Sequence, residues 1–247
     1  MTMDHSDAPL AFWFYRHAEI PSHRGDLPAT SAGLVHAERV GSALAASCPP
    51  GAHVEFLHAP TIRTVQTAEA LCRGIRGALP AASDVRLGAP RAERAIRNPD
   101  LYVAGHRVEM VSAVEALAAQ LPADALTPAE LDRHAFFSRF LTSPDRIGLW
   151  VADEDPPGER ADDVARRFLS WARSLRDTAP AHARRYVCVT HSGPMRAVLR
   201  RYVLGHDPGE PEYVEAVELR LGPDGSGAWR FRNVVAPVEA DGARAAS

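Results

Sequence analysis

Three stretches of this chain carry residue types able to act on a charged group. In Phe12-Trp13-Phe14-Tyr15-Arg16-His17-Ala18-Glu19 an aromatic run ends abruptly in an arginine and a histidine. In His58-Ala59-Pro60-Thr61-Ile62-Arg63-Thr64-Val65-Gln66-Thr67 a second arginine follows an apolar segment. In Tyr186-Val187-Cys188-Val189-Thr190-His191-Ser192-Gly193-Pro194 another apolar run ends in a histidine. Histidine supplies a nucleophile or a proton near neutral pH. Arginine grips phosphate or carboxylate through two parallel hydrogen bonds. One histidine after an apolar run is usually structural; the repetition of the pattern is what points to a site.

These residues need elements to position them. A short apolar run bounded by polar residues reads as a buried strand, here over 11–16, 54–58 and 186–190, with a further short strand over 84–87. Thr30 or Ser31 caps a helix over about 32–47, and further helices are expected over 61–76, from Gly158 to about Asp177, and over 194–204. Segments 213–221 and 228–234 flank a Gly-Pro-Asp-Gly-Ser-Gly turn and read as a hairpin. Alternating strands and helices predict a three-layer α/β/α sandwich, with a mostly parallel central sheet and helices on both faces. Right-handed crossovers put the loops after parallel strands on one edge, where ligands bind. Arg16, His17, Arg63 and His191 all fall in such loops.

Residues 89–158 are the least regular part. Helices are expected over 110–120 and, capped by Thr127, over 128–141. The stretch reads as an insertion covering the cleft within a single domain spanning 1–247, with frayed ends at 1–9 and 237–247.

Composition excludes several classes. Of 247 residues 46% are hydrophobic and 24% charged, ordinary for a globular protein, and the net charge of -3 offers no field for nucleic acid or a membrane surface. All 28 basic residues are arginine. Without lysine there is neither a Walker A nucleotide site nor a Schiff base. The three cysteines, Cys48, Cys72 and Cys188, form no Cys-x-x-Cys pair, so no zinc ribbon or disulfide framework is implied. Asp4 and Asp7 precede the first apolar run, unlike a signal peptide, and no run approaches membrane-spanning length. A cytoplasmic location is expected.

The three stretches resemble the histidine phosphatase superfamily, the phosphoglycerate-mutase-like enzymes. Arg16-His17-Ala18 is similar to the family's Arg-His-Gly signature, Arg63 to the arginine of its second motif, and His191 in Val-Thr-His-Ser-Gly to its second histidine. Their order agrees, and the resemblance runs from about Phe12 to about Leu204. It implies a metal-independent phosphatase without a cofactor, acting on a phosphate monoester of a small metabolite. His17 would attack phosphorus and form a phosphohistidine that water hydrolyses. Arg16, Arg63, His191 and Ser192 would bind the phosphate, with His191 a third cationic donor if protonated. A carboxylate would protonate the leaving alkoxide; Glu93, in Pro-Arg-Ala-Glu-Arg, is the first choice and Asp100 the second. Glu19 and Glu159 are expected to support the site structurally. Arg24, Arg97, His106 and Arg107 could reach a second anionic group. Ala18 and Ser192 depart from the family's glycines, but both are small.

Three other readings compete. A mutase would return the phosphoryl group to its product. A binding protein would hold phosphate without turnover. A haloacid-dehalogenase-type Asp-x-Asp could lie in Ala152-Asp153-Glu154-Asp155, although lysine is absent. A small phosphorylated substrate is the expected partner, and pairing as a homodimer stays open.

Overall fold

The computed structural model describes residues 10–176 and 184–240. Its centre is strand β1, Leu10–Arg16, in which every residue is buried. Alternate side chains leave a strand on opposite faces. Leu10, Phe12 and Phe14 enter one hydrophobic cluster, while Ala11, Trp13 and Tyr15 enter another. A strand buried on both faces must be apolar throughout, which is why this segment shows no polar alternation.

β1 lies between β7 (Arg184–Thr190), parallel to it, and β8 (Ala216–Leu221), antiparallel. The sheet continues from β7 to β2 (His53–His58), then to the short β3 (Arg86–Leu87) and β4 (Arg91–Ala92), all parallel. On the other side β9 (Gly227–Phe231) and β10 (Val234–Val238) complete an antiparallel meander. The sheet is thus mixed and mostly parallel at its core, as the alternation of elements predicts. One correction concerns its end. Residues 237 and 238, expected to fray, pair with Ala228 and Gly227 in β10. Pro237 lacks an N–H, which an edge strand tolerates. The expected lead 1–9 and residues 241–247 lie outside the described residues.

Helices α1 (Ser31–Leu44) and α2 (Ile62–Ala78) cover the Trp13 face. Thr30 caps α1, accepting from Gly33 N at 3.0 Å. The two helices cross closely because two glycines remove side chains from the contact. A Cβ at Gly41 would lie 2.3 Å from Leu71 O, and one at Gly74 2.0 Å from Glu38 O.

The other face is covered by α7 (Ala161–Arg176) and α8 (Ser192–Val198), together with the stretch expected as an insertion. That stretch is more broken than its periodicity predicts. The first helix shrinks to α3, Val114–Ala118; the second splits into α4, Pro128–Leu131, and α5, Ala135–Thr142. It also holds a two-stranded ribbon, β5 (Leu101–Val103) and β6 (His106–Val108), and α6, Arg146–Ala152. Phe136, Phe137, Phe140 and Trp150 bury themselves in the same cluster as Phe12 and Phe14, so this stretch shares its core with the sheet. The segment before Asp153-Glu154-Asp155 is helical, whereas a haloacid-dehalogenase motif would need a strand there.

Candidate active site

The parallel register brings the two histidines together. Arg16 pairs with Thr190, and His17 N donates to Thr190 O at 3.0 Å. His17 and His191 therefore leave adjacent strands at the same level, with ring centroids 5.4 Å apart. β2 ends one strand further on, and its loop runs into α2, placing Arg63 in the first turn. Arg63 Nη2 lies 3.3 Å from His191 Nδ1. All four residues line one cavity of about 330 Å³, as do Ser192 and Gly193.

Hydrogen bonding decides the tautomers. His17 Nδ1 is 2.8 Å from Ala18 O, and a carbonyl can only accept, so Nδ1 carries the proton and Nε2 keeps its lone pair. Burial, then the Arg63 charge, lowers the His17 pKa to about 3, so this ring is neutral near pH 7. His191 is the mirror case. Arg63 can only donate, so His191 Nδ1 accepts and Nε2 carries the N–H. Burial, Arg63 and His17 hold the His191 pKa well below its usual value. The condition for a cationic His191 is not met: burial above all, then Arg63, His17 and Arg16, disfavours the imidazolium, so the ring is a neutral donor.

Several polar atoms here are buried without partners: Arg16 Nε, Arg63 Nε, His191 Nε2 and Ser192 Oγ. Buried donors normally find acceptors. Four donor-bearing atoms left open along one cavity suit a ligand rich in acceptor oxygens. Arg16 is fixed from behind. Its Nη1 donates to Pro211 O at 2.5 Å, its Nη2 pairs with Glu210 at 3.0 Å, and Tyr213 lies 4.1 Å beneath its guanidinium. Next to Tyr213, Val214 holds φ at 58°, a conformation costly for a β-branched residue. Its N–H donates to Arg16 O at 3.1 Å.

The expected acids lie elsewhere. Glu93 does not line the cavity. Its carboxylate turns back and caps the 3-10 turn Arg94–Ile96, accepting from Ala95 N at 2.9 Å. A short acidic side chain beside an open turn amide takes that bond first. For Asp100, burial alone would raise the pKa, but hydrogen bonds from Arg97 and Arg107 more than offset it and hold the carboxyl low. Asp100 thus consumes two of the three arginines expected to reach substrate; Arg97 also pairs with Glu159 at 3.4 Å and Arg107 with Glu109 at 2.5 Å. Arg24 and His106 are exposed and line no part of the cavity. Glu19 accepts from Thr30 Oγ1, and Glu159 from Asp100 N, both structural contacts.

Other residues complete the wall: His23, Asn98, Met110, Val111, Phe140, Asp145, Arg146, Ile147 and Glu210. All but His23 and Glu210 fall within 89–158, the stretch expected to cover the cleft. Asp145 and Glu210 converge on the buried Arg196, which also binds Asp207. No local pattern announces a network joining positions 145, 196, 207 and 210.

A family model described as the histidine phosphatase superfamily (branch 1) matches residues 132–220. That is the family its motifs resemble. The match includes the second histidine, His191, and the helix after it. Comparison with the curated proteins finds no match. Among solved structures the chain is similar to a phosphoglycerate mutase from Bacillus anthracis str. Sterne, at 13% identity and a TM-score of 0.51, covering 92% of this chain and 93% of that one. It is also similar to "Mycobacterial hydrolase 2", at 18% identity and a TM-score of 0.51, covering 95% and 94%. A mycobacterial glucosyl-3-phosphoglycerate phosphatase aligns at 17% identity and a TM-score of 0.50, covering 91% and 97%. At such identities the likeness carries the phosphoglycerate-mutase-like fold. Among the described residues no helix is long and apolar enough to cross a membrane.

Proposed function

We propose that the protein is a metal-independent phosphatase that hydrolyses a phosphate monoester of a small metabolite through a phosphohistidine on His17. One observation carries the reading. His17 donates through Nδ1 to Ala18 O, which leaves the Nε2 lone pair as the nucleophile within a cavity of unpartnered donors.

The chemistry follows from the arrangement. The phosphate sits between Arg16 and Arg63, with His191 Nε2–H and Ser192 Oγ–H as further donors. These groups neutralise charge building on the equatorial oxygens. Because they are already held in place, little reorganisation accompanies the reaction. His17 Nε2 attacks phosphorus, the ester P–O bond breaks, and a proton reaches the leaving alkoxide. Water then cleaves the P–N bond and restores His17. The guanidinium groups supply the positive charge, so no metal or cofactor enters the scheme. The apolar side of the cavity, Met110, Val111, Phe140 and Ile147, takes the alcohol portion of the substrate. A cytoplasmic location accompanies this reading.

The test is hydrolysis of a panel of phosphorylated metabolites by wild type and His17→Ala, with a chelator present. Turnover that survives the chelator and disappears in His17→Ala supports the reading, as does a base-stable, acid-labile phosphoryl group on the peptide containing His17. Unchanged activity in His17→Ala overturns it. Phosphoryl transfer to an isomeric acceptor in preference to water would make the protein a mutase.

A further inference from the structure

The proposed reaction needs a group that gives a proton to the leaving alkoxide and later takes one from water. Glu93 is occupied at its turn and Asp100 at two arginines, both outside the cavity. The carboxylates that do line it are also committed. Asp145 grips Arg196 with both oxygens, at 2.7 and 2.6 Å, and those bonds hold its carboxyl below the usual range. Glu210 is held between Arg16 and Arg196, each at 3.0 Å. A carboxylate clamped by guanidinium groups stays ionised and makes a poor acid.

We infer that His23 is the proton donor and acceptor of this site, an inference that rests on the phosphatase reading above. His23 lines the same cavity as His17, Arg16, Arg63 and His191. Its loop is pinned at His23 itself and three residues further on. Ser112 N donates to His23 O at 3.1 Å, tying the loop to the Met110-Val111 wall. Three residues on, the Asp26 carboxylate accepts from Ile62 N at 3.0 and 3.1 Å and from Arg63 Nη1 at 3.2 Å. His23 stays partly exposed beside the cavity, while the nucleophile and both arginines are buried.

The protons balance. In the first step His17 Nε2 bonds to phosphorus, the ester oxygen departs, and imidazolium His23 delivers its proton to that oxygen. In the second step neutral His23 removes a proton from water, the hydroxide oxygen bonds to phosphorus, and the P–N bond breaks. Free phosphate leaves, and His23 is again protonated. The groups acting on His23 fit the cycle. Burial, then Arg16 and Arg63, with Arg146 behind them, lower its pKa, while Glu210 raises it. A phosphate dianion bound between Arg16 and Arg63 offsets their charge, so substrate binding itself favours the imidazolium.

The deciding measurement is kcat/KM for His23→Ala on two esters, p-nitrophenyl phosphate and glycerol phosphate. Nitrophenolate leaves with little help, whereas an alkoxide needs a proton. The expected loss on glycerol phosphate exceeds that on p-nitrophenyl phosphate by at least about 30-fold, within the range of general acid catalysis. Imidazole added to His23→Ala restores glycerol phosphate turnover. Equal losses on both esters, with no rescue, overturn the assignment. So does a leaving-group-dependent loss in Glu93→Gln or Glu109→Gln with none in His23→Ala. Wild-type turnover that persists in His17→Ala fails the phosphatase reading itself, a different outcome from any of these.

Discussion

Arg63 Nη2 sits 3.3 Å from His191 Nδ1, and that single contact determines which nitrogen of His191 carries a proton. The guanidinium has no lone pair to offer, so the imidazole must accept there and present Nε2–H to the cavity. In the proposed reaction Arg63 therefore acts twice, as a phosphate ligand and as the residue that orients His191. Replacing it by lysine keeps a positive charge but loses the planar fork. Arg63→Lys is expected to lower kcat/KM by roughly 10²- to 10³-fold, the scale for losing an oriented transition-state donor. Steady-state kinetics on the best ester checks this; a loss below about threefold would remove Arg63 from the site.

The depressed pKa of His17 makes stability depend on pH. The folded ring titrates near 3 and the unfolded one near 6.5. Between those values the unfolded chain binds a proton that the folded chain does not, so stability falls as pH drops from 6.5 toward 3. Above 6.5 both states are neutral and the residue contributes nothing to this dependence. At pH 4.5, two units below the unfolded value, the cost is roughly 3 kcal/mol, from 1.36 kcal/mol per pKa unit. Urea midpoints for wild type and His17→Gln at pH 7.5 and 4.5 test the sign. Wild type should lose more stability than the variant; parallel losses would refute the assignment.

Phe14 is fully buried, stacks 6.0 Å from Phe12, and meets Phe168 and Trp229 at 5.2 and 5.8 Å. Phe14→Ala should destabilise the fold by about 3–5 kcal/mol through lost burial and a cavity. Chemical denaturation followed by circular dichroism measures it.

The α1–α2 crossing has no room for a methyl group at residue 74. A Cβ there would sit 2.0 Å from Glu38 O, a backbone atom that cannot swing aside. Gly74→Ala forces the helices apart and should cost at least about 1–3 kcal/mol, the scale of overpacking. Gly77, in the same helix with open space around it, serves as the control and should tolerate alanine.

Arg196 is buried and binds Asp145, Asp207 and Glu210. Arg196→Met leaves three carboxylates facing one another without their cation. Breaking such a network costs about 3–5 kcal/mol when its members are buried; the partial exposure of these carboxylates puts the expectation near the lower end. Thermal denaturation checks it, and added salt should recover part of the loss by screening the repulsion.

Much of the sheet was legible because its signals are local. β1, β2 and β7 are apolar runs with abrupt polar ends, and burial on both faces leaves a strand little other composition. The caps of α1 and α4 were legible for the same reason: Thr30 and Thr127 meet their amide partners within three residues. The helices of 110–141 were overestimated because apolar residues continue through positions where the chain turns; α5, which carries Phe136, Phe137 and Phe140 into the core, starts afresh after His134 caps it. β10 was missed because Pro237 argues against a strand, and only an edge position accommodates it.

The sequence by itself determined the pocket's main chemistry. Each of Arg16, His17, Arg63 and His191 directly follows or closely trails a buried strand, and parallel strands must release their loops on one edge. The tertiary structure alone decided the protons. The tautomers of His17 and His191 depend on an adjacent carbonyl and on a guanidinium 128 residues away. Whether a carboxylate can act as an acid depends on which arginine or amide reaches it first, and for Glu93, Asp100 and Asp145 that competitor became visible only once the chain had folded. Electrostatic and hydrogen-bond energies vary with distances of a few ångströms, and such distances between residues far apart in sequence exist only in the assembled fold.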